Sequence, residues 1–268
     1  MKLSVVIPAR NEAGNIGLTL DNLRRRLTQE LIAYEIVVVD DGSTDSTVEE
    51  VQQRAQADPG VRLVRNTGPH GFGRAIRYGL EVFTGDAVVI VMADDSDDPD
   101  DVVEYYYVLR DKADCAFGSR WIRGGHVENY PPFKHILNRL ANLFVRLLFS
   151  LRYNDVTNAF KGYRRYVVDG VRPLLSPHFN LTVEIPLKAI VRGYSYAVVP
   201  IRWRNRKLGR SNLHVEEMGS RYLYIVLIVW LEKLLINSDF HRPDGEVFVP
   251  WDEQKERSSR KPLTQAQR

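Results

Sequence analysis

Short apolar runs alternate with amphipathic segments through the first half of the chain, and this pattern constrains the fold more than any other feature. Four runs rich in Val, Ile and Leu are predicted strands: residues 3–7, 35–39, 61–64 and 87–91. They are nearly all apolar, as expected for strands buried on both faces of a sheet. The segments between them are predicted helices: residues 16–27, 47–57 and 73–83. This alternation predicts βαβ units and a mainly parallel α/β sheet.

The second half is less regular. We predict strands at residues 115–118, 160–164 and 196–203. We predict helices at residues 133–151, 181–191 and 215–236, the first and last of them amphipathic. Residues 237–268 are rich in polar residues and are expected to form a partly ordered tail. The chain is therefore divided into one domain at 1–236, with halves 1–117 and 118–236, and a polar tail.

The two halves carry opposite charge. Residues 1–117 hold 12 Lys and Arg against 21 Asp and Glu, a net charge of −9. Residues 118–221 hold 18 against 6, a net charge of +12. An acidic half followed by a basic half indicates that one side holds cations and the other meets anions. Nucleic acid, phosphorylated small molecules and a membrane surface are the candidate anions.

Other features of the sequence exclude several classes of protein. The one cysteine, Cys115, lies in an apolar context, so an internal disulfide is excluded and a packing role is expected. The first residues are strand-like, so we expect no signal peptide. No window reaches the roughly 18–20 continuous apolar residues of a membrane-spanning helix. The basic segment contains no nucleic-acid-binding motif, so nucleic acid is not an expected partner.

Polar, turn-forming residues follow each of the first four strands. In an open parallel sheet, ligands bind in the crevice beyond the carboxyl ends of the strands. The second strand ends in Asp40 and Asp41, whose carboxylates could hold a base or a ribose. The third is followed by Gly71-Phe72-Gly73 at a helix start, where backbone amides could meet a phosphate. Ile76 stands where a dinucleotide fingerprint needs its third glycine, which disfavours a nicotinamide dehydrogenase.

The fourth strand runs into six aspartates within eight positions: Asp94, Asp95, Asp97, Asp98, Asp100 and Asp101. An EF-hand is excluded, because Pro99 replaces the required glycine and Tyr105 the closing glutamate. Mg²⁺ at a diphosphate needs only one or two carboxylates. Some of the six are therefore expected to be solvated or, at Asp100, to cap the following helix.

These motifs occur together in a known order. SVVIPARNE at 4–12, VVVDDGSTDST at 37–47, the glycine turn and the acidic strand end followed by proline resemble the donor-binding domain of inverting family 2 glycosyltransferases of GT-A fold. FGSRWIRGG at 117–125, ENYPPFKHILNRLAN at 128–142, NDVTNAFKGYRR at 154–165 and RNRKLGRSNL at 204–213 resemble the dolichyl- and polyprenyl-phosphate sugar synthases. The resemblance covers about residues 3–236, and it implies a Rossmann-like GT-A fold with a mainly parallel sheet flanked by helices.

The resemblance also implies a donor site. Its residues would be Pro8, Asn11, Glu12, Asp40, Asp41, Gly71, Gly73, Asp94 and Asp95. A divalent metal, Mg²⁺ or Mn²⁺, would be bound by Asp94 and Ser96. Asp94 matches the second aspartate of the family's DxD motif, while Met92 replaces the first. Asp95, Ser96 or Asp97 are the candidates to compensate for that loss.

The catalytic residues implied by the same match are Asp94, Arg120, Lys134 and Arg206. In this family the nucleophile is an ionised lipid phosphate, so cations to screen two anions matter more than a general base. Asn212 replaces the usual lysine of the last motif. Glu184 matches a recurring acid of the family, with either an acceptor-site role or a structural salt bridge.

The predicted function is transfer of a sugar, with mannose from GDP-mannose as first candidate, to a polyprenyl phosphate. The protein is expected to be cytoplasmic and peripheral on the cytosolic face of a membrane. Residues 136–151 could lie in the headgroup plane with Arg139 and Arg146 on one face, or could be an ordinary core-facing helix. A UDP-sugar donor, a non-lipid acceptor and a non-catalytic nucleotide-sugar-binding protein are the alternatives. The oligomeric state is left open.

Overall fold

One seven-stranded sheet organises the molecule. The structure is a computed structural model, and it describes residues 1–128, 130–205 and 215–235. The strands are β1 (Leu3–Ala9), β2 (Tyr34–Asp40), β3 (Val61–Arg65), β4 (Ala87–Ile90), β5 (Cys115–Ser119), β6 (His126–Glu128), β7 (Lys161–Arg164), β8 (Tyr196–Pro200) and β9 (Arg202–Arg204). The large sheet has the order β3-β2-β1-β4-β7-β5-β8, and β6 pairs with β9 in a separate ribbon. Within the large sheet only β7 runs antiparallel to its neighbours.

Helices cover both faces of the sheet. They are α1 (Ile16–Gln29), α2 (Thr47–Ala57), α3 (Phe72–Val82), α4 (Pro99–Asp111), α5 (Pro132–Phe149), α6 (Arg165–Gly170), α7 (Leu181–Val191) and α8 (Val215–Leu235). Side chains of β1 alternate between two cores, because successive residues of a strand point to opposite faces. Val5 and Ile7 pack with α1, α2 and α4, whereas Val6 packs with α3 and the helices of the second half.

The predicted mainly parallel α/β fold is confirmed, and each predicted helix and strand is present with small shifts at its ends, apart from residues 196–203. That segment was predicted as one strand, but it divides into β8 and β9. Pro200 is the last residue paired with β5. The chain then leaves the sheet and pairs with β6, a short strand that sequence patterning did not predict.

The two predicted halves share one sheet. β7, from the second half of the chain, lies between β4 and β5 in the same sheet. The predicted polar tail at 237–268 lies outside the described residues. None of the helices in residues 1–128, 130–205 and 215–235 combines the length and hydropathy needed to span a bilayer.

Candidate active site

Hydrogen bonds join the loops that follow β1 and β2. The Asn11 N–H donates to Ser43 Oγ at 3.1 Å, and Asn11 Oδ1 accepts the Thr44 N–H at 2.8 Å. The Glu12 N–H donates to Thr47 Oγ1 at 2.8 Å. Asn11 has a φ of 55°, a left-handed conformation that asparagine tolerates better than most residues. The fold thus brings the predicted donor residues of two strands to one edge of the sheet.

The two aspartates at the end of β2 differ in their partners. Asp40 accepts the Ser43 N–H at 3.0 Å and so shapes its own turn. Asp41 uses both oxygens on the loop that follows β3, since Oδ1 accepts Asn66 Nδ2 and Oδ2 accepts the Gly71 N–H, each at 2.7 Å. Pro8 lies directly beside this turn, paired with Val39 in the sheet. Asp41 therefore fixes a loop, and Asp40 has more capacity left for a ligand.

The glycine turn at the start of α3 packs against the segment at 176–178. The Gly71 N–H is bound by Asp41, and the Arg74 N–H donates to the Pro177 carbonyl at 3.2 Å. A Cβ added at Gly73 would lie 2.5 Å from the His178 carbonyl oxygen. Both glycines allow the close approach of segment 176–178, which gives them a packing role, and their phosphate contact stays a prediction.

Glu184 holds that segment in place. It is fully buried, and its two oxygens accept the Leu175 and Ser176 N–H groups, each at 2.7 Å. Lys188 lies 2.8 Å from Glu184 Oε1 and is also buried. Of the two roles considered for Glu184, these contacts describe the structural one.

Between β4 and the first turn of α4, three of the six aspartates are buried, and the charges of Asp94 and Asp101 both act on Asp97. Asp94 and Asp97 are 8% and 6% exposed, and Ser96 beside them is also buried. Asp94 Oδ1 accepts the Ser96 N–H at 3.3 Å, while Asp97 Oδ2 accepts the Met92 N–H at 2.9 Å. Burial and the neighbouring charge of Asp94 raise the pKa of Asp97 to about 7.

Asp94, Ser96 and Asp97 form an acidic corner that offers few ligands for a divalent cation. Within the residues that the structure describes, no group of three or more Asp, Glu, His or Cys could hold a metal. A cation that bridges a diphosphate takes one or two carboxylates and completes its shell with phosphate oxygens and water. Asp94 and Asp97 are such a pair, and a cation would offset the charge that now raises the pKa of Asp97. Of the three candidates to compensate for Met92, Asp97 is buried beside Asp94.

The other four aspartates have structural partners. Asp95 has a φ of 56°, and its carboxylate accepts Asn22 Nδ2 of α1 at 3.0 Å, which turns it towards that helix. The N-cap of α4 is Asp98, which accepts the Asp100 N–H at 2.9 Å. The prediction that Asp100 caps α4 is thus wrong, since its carboxylate binds Arg26. Asp101 accepts the Arg202 N–H at 2.7 Å and so holds β9 in place.

Arg120 lies in the interior, paired with Asp155. Its Nε and Nη2 donate to the two oxygens of Asp155 at 2.8 and 2.7 Å, a bidentate arrangement. Burial lowers the pKa of this guanidinium, but the charge and hydrogen bonds of Asp155 outweigh burial and raise it. The charge of Arg120 in turn acts on Asp97. Among the described residues, the side-chain hydrogen bonds of Arg120 use Nε and Nη2 and not Nη1.

Aromatic rings surround this ion pair. The Arg120 guanidinium lies 5.5 Å from the ring centroids of Trp121 and Tyr130 and 6.0 Å from that of Trp203. Trp203 is held there by β9, because the Arg204 N–H donates to the Ser96 carbonyl at 3.1 Å. Sequence reasoning missed this cluster, which depends on the ribbon of β6 and β9.

Asp155 and Lys161 were also missed, although both lie in the quoted motif at 154–165. Lys161 is buried, and its ammonium donates to the carbonyls of Val156, Asn158 and Thr182. Burial lowers the pKa of Lys161 to about 7, against the raising effect of Asp155. Lys161 thus holds the loop that presents Asp155 to Arg120.

Lys134 and Arg206 are the other two predicted cations of the site. Lys134 is exposed in the first turn of α5. Arg206 and Asn212 lie outside the described residues.

Comparisons with known proteins identify the family. The model of glycosyl transferase family 2 matches residues 4–172. The chain is 31% identical over 262 residues to the dolichol-phosphate mannosyltransferase of Pyrococcus furiosus, covering 90% of this chain and 71% of that one. It is 32% identical over 215 residues to the polyprenol monophosphomannose synthase of Mycolicibacterium smegmatis, covering 78% and 80%.

A solved structure shares the fold. Glucosyl-3-phosphoglycerate synthase from Mycobacterium tuberculosis, in complex with Mn²⁺, UDP and glucosyl-3-phosphoglycerate, has a TM-score of 0.63 at 21% identity. The match covers 87% of this chain and 79% of that one. Another complex of that synthase holds Mg²⁺ and UDP. The likeness confirms the GT-A fold. With a family model across most of the chain and relatives above 30% identity, the protein belongs to glycosyl transferase family 2 and is a glycosyltransferase.

Proposed function

We propose that this glycosyltransferase moves a sugar from a nucleotide-sugar to a polyprenyl phosphate, with inversion and with the help of a divalent metal. One observation carries the proposal: the buried acidic corner of Asp94 and Asp97 lies within electrostatic range of the buried cation Arg120. An acidic corner suits a metal-bound diphosphate, and a cation beside it suits a second phosphate. The names of the relatives from Pyrococcus and Mycolicibacterium, a dolichol-phosphate and a polyprenol transferase, support a lipid phosphate acceptor.

The donor would lie along the edge formed by the loops after β1, β2 and β4. Asn11, Glu12 and Asp40 would contact the base and ribose, with Pro8 as a wall, and Asp41 would keep the neighbouring loop closed. Asp94, Ser96 and Asp97 would hold Mg²⁺ or Mn²⁺, which would supply charge neutralisation for the diphosphate leaving group. GDP-mannose is our first candidate, on the relatives' names, with a UDP-sugar as the alternative.

The acceptor phosphate would be bound by Arg120 and Lys134. A phosphate monoester is largely ionised at neutral pH, so it can attack the sugar without a strong base. Arg120 Nη1 would bind one of its oxygens, while Asp155 fixes the guanidinium plane. Lys134 would add a mobile point charge at the entrance. Such cations reduce the repulsion between nucleophile and leaving group, and they stabilise charge that develops on the diphosphate.

Two helices of the second half support peripheral attachment to a membrane. α5 exposes a stripe of apolar side chains: Ile136, Leu140, Leu143, Phe144 and Leu147. α8 contacts α5 and exposes another: Leu223, Tyr224, Leu227, Leu231, Leu234 and Leu235. Positions 136, 140, 143 and 147 share one helical face, so this face of α5 is not the core-facing one. A bilayer that contains the lipid acceptor would cover both stripes, and the cytosolic leaflet would provide access to nucleotide-sugars.

The test is incubation of the purified protein with GDP- and UDP-sugars, polyprenyl phosphate and Mg²⁺ or Mn²⁺, with lipid-linked sugar as the readout. We expect product from one donor, and none in EDTA. Absence of product with every donor would refute the proposal. Donor binding without turnover would instead favour a non-catalytic binding protein, the alternative raised by Met92, and product on a glycan acceptor alone would remove the lipid.

A further inference from the structure

Two arginines of α5 face a small cleft that contains no acidic residue. The cleft has a volume of about 160 Å³ and is lined by Arg139, Leu140, Asn142, Leu143, Arg146 and Asn154. Among the residues that the structure describes, neither arginine has a carboxylate within ion-pair distance. Arg120 and Arg192, two buried arginines of the same half, each have one. The two guanidiniums thus concentrate positive charge in one place.

Arg146 shows most clearly that a partner is missing. Its Nε is buried and has no hydrogen-bond acceptor in the described part of the chain. A buried donor that is left unsatisfied loses the hydrogen bond that water would have provided, which is unfavourable. An acceptor that enters the cleft would restore that bond.

Arg139 is oriented without using up its donors. Its guanidinium stacks on the Trp121 ring at 5.5 Å, and Nη1 makes only a long contact of 3.5 Å to the Asn154 carbonyl. The amide groups in the walls are engaged elsewhere, since Asn142 Nδ2 donates to Asn138 and Thr157 and Asn154 Nδ2 donates to Trp121. The asparagines shape the cleft, and the two guanidiniums are left to meet a ligand.

The surroundings indicate the kind of ligand. Arginine forks match the oxygens of a phosphate, and positions 139 and 146 are about 10 Å apart along the helix axis, so side chains from both can converge. Leu140 and Leu143 line the same cleft and belong to the exposed apolar stripe of α5. A ligand that fits both features carries a phosphate next to hydrocarbon.

We propose that this cleft binds the phosphate of an anionic phospholipid headgroup and thereby sets the position of α5 in the membrane. The inference rests on the membrane attachment in the proposed function. It concerns a second site, because neither Arg120 nor Lys134 lines the cleft. The ligand is a lipid of the surrounding leaflet and not the acceptor.

The experiment is flotation of the whole protein with phosphatidylcholine vesicles, with or without phosphatidylglycerol and free of polyprenyl phosphate. Arg139→Lys and Arg146→Lys keep the charge but lose the fork, and each is expected to weaken binding to the phosphatidylglycerol vesicles about tenfold. Arg152→Lys is the matched control, since Arg152 is exposed just beyond α5 and does not line the cleft. Its binding is expected to equal that of the wild type. Circular dichroism confirms that each variant is folded.

The possible results separate the two proposals. Equal binding of all three variants and the wild type would mean that the protein is attracted to anionic vesicles by its charge in general. The cleft inference would then be wrong, while membrane attachment would stand. Failure of the wild type to bind any vesicle would overturn both the attachment and the cleft. Inorganic phosphate is the second probe: release of the protein by phosphate, but not by chloride of equal ionic strength, would assign the cleft to a free anion instead. Sugar transfer to detergent-dispersed polyprenyl phosphate tests the reaction separately.

Discussion

The acidic and basic halves of the chain place their charged and apolar side chains in opposite ways. In the first half the polar groups lie at strand ends and tie neighbouring loops together, while the apolar residues fill the cores. In the second half Arg120, Glu184 and Arg192 are buried in ion pairs, whereas α5 and α8 expose rows of leucine. The first arrangement suits a water-soluble, charged donor. The second suits a ligand with a phosphate at one end and hydrocarbon at the other.

The largest effect is expected in the acidic half, at the aspartates after β4. Asp94→Asn should lower the transfer rate by roughly 10²–10³-fold, because it removes charge that would hold the metal and diphosphate. Asp95→Asn is the matched control one residue away, since Asp95 binds Asn22 of α1. It should retain most of the activity. The measurement is initial rate against metal concentration for both variants, and equal losses would contradict the assignment of the metal to Asp94.

Arg120→Lys tests the buried cation of the basic half. It keeps the charge but loses the bidentate contact to Asp155, so we expect a fall of roughly 10–10²-fold in kcat/KM for polyprenyl phosphate. The KM for the nucleotide-sugar should change less. Arg123→Lys, at an exposed arginine of the same loop, is the control. Thermal unfolding shows whether the variant remains folded, and unchanged acceptor kinetics in a folded variant would remove Arg120 from the site.

Substitution of one exposed leucine in each half compares how the two surfaces contribute to membrane binding. Leu147 on α5 is 72% exposed, and Leu31 after α1 is 92% exposed. Leu147→Glu should weaken vesicle binding by about tenfold or more, because burial of a leucine is worth roughly 1.5–3 kcal/mol and the new charge opposes an anionic surface. Leu31→Glu should leave binding unchanged. The same loss for both variants would mean that the exposed face of α5 is not the membrane face.

The buried lysine of the basic half predicts a pH dependence of stability. The pKa of Lys161 is about 7 in the folded protein, below its value of about 10.4 in an unfolded chain. Between these values the unfolded state binds more protons, so the free energy of unfolding should rise with pH, by on the order of 1–4 kcal/mol. Urea unfolding over this range tests it. Lys161→Met should be less stable overall and should lack this part of the slope; an identical slope would contradict the burial effect.

A buried carboxyl of the acidic half predicts the opposite effect in a lower pH range, namely that stability falls as the pH rises. Burial raises the pKa of Asp101 to about 6, from about 3.9 in an unfolded chain. The folded state therefore binds more protons between these values, and stability should fall as the pH rises from about 4 to about 6. Asp101→Asn should flatten this decline in urea unfolding, and we expect an effect of about 1 kcal/mol because Arg202 offsets part of it. A decline as steep as in the wild type would assign it to other groups.

The halves also differ in how much the sequence could predict. In the first half the alternation of strands and helices is a local pattern. The positions of β1 to β4, and of the loops that follow them, could therefore be predicted from the sequence. The roles of Gly71 and Gly73 could not, because they depend on contact with residues 176–178, about a hundred positions away. Asp97 remains one of three candidates to compensate for Met92, and its burial beside Asp94 could not be predicted from the sequence.

In the second half, periodicity located the helices but not which face each one buries. The aromatic rings around Arg120 come together only because β9 leaves the sheet after Pro200 and pairs with β6. The pairing of Asp155 with Arg120 could not be predicted, because the two residues are 35 positions apart and no local pattern links them. Motif resemblance predicted roles for Arg120 and Lys134, and the structure shows Asp155 as the partner of Arg120.

The central claim is that a lipid phosphate is the nucleophile in an active site between an acidic corner and a buried arginine. The most direct measurement supplies the wild-type protein with labelled donor and metal, and with either polyprenyl phosphate or the unphosphorylated polyprenol of equal length. We predict labelled lipid only with the phosphate. Equal labelling of both lipids, or release of free sugar without labelled lipid, would contradict the account.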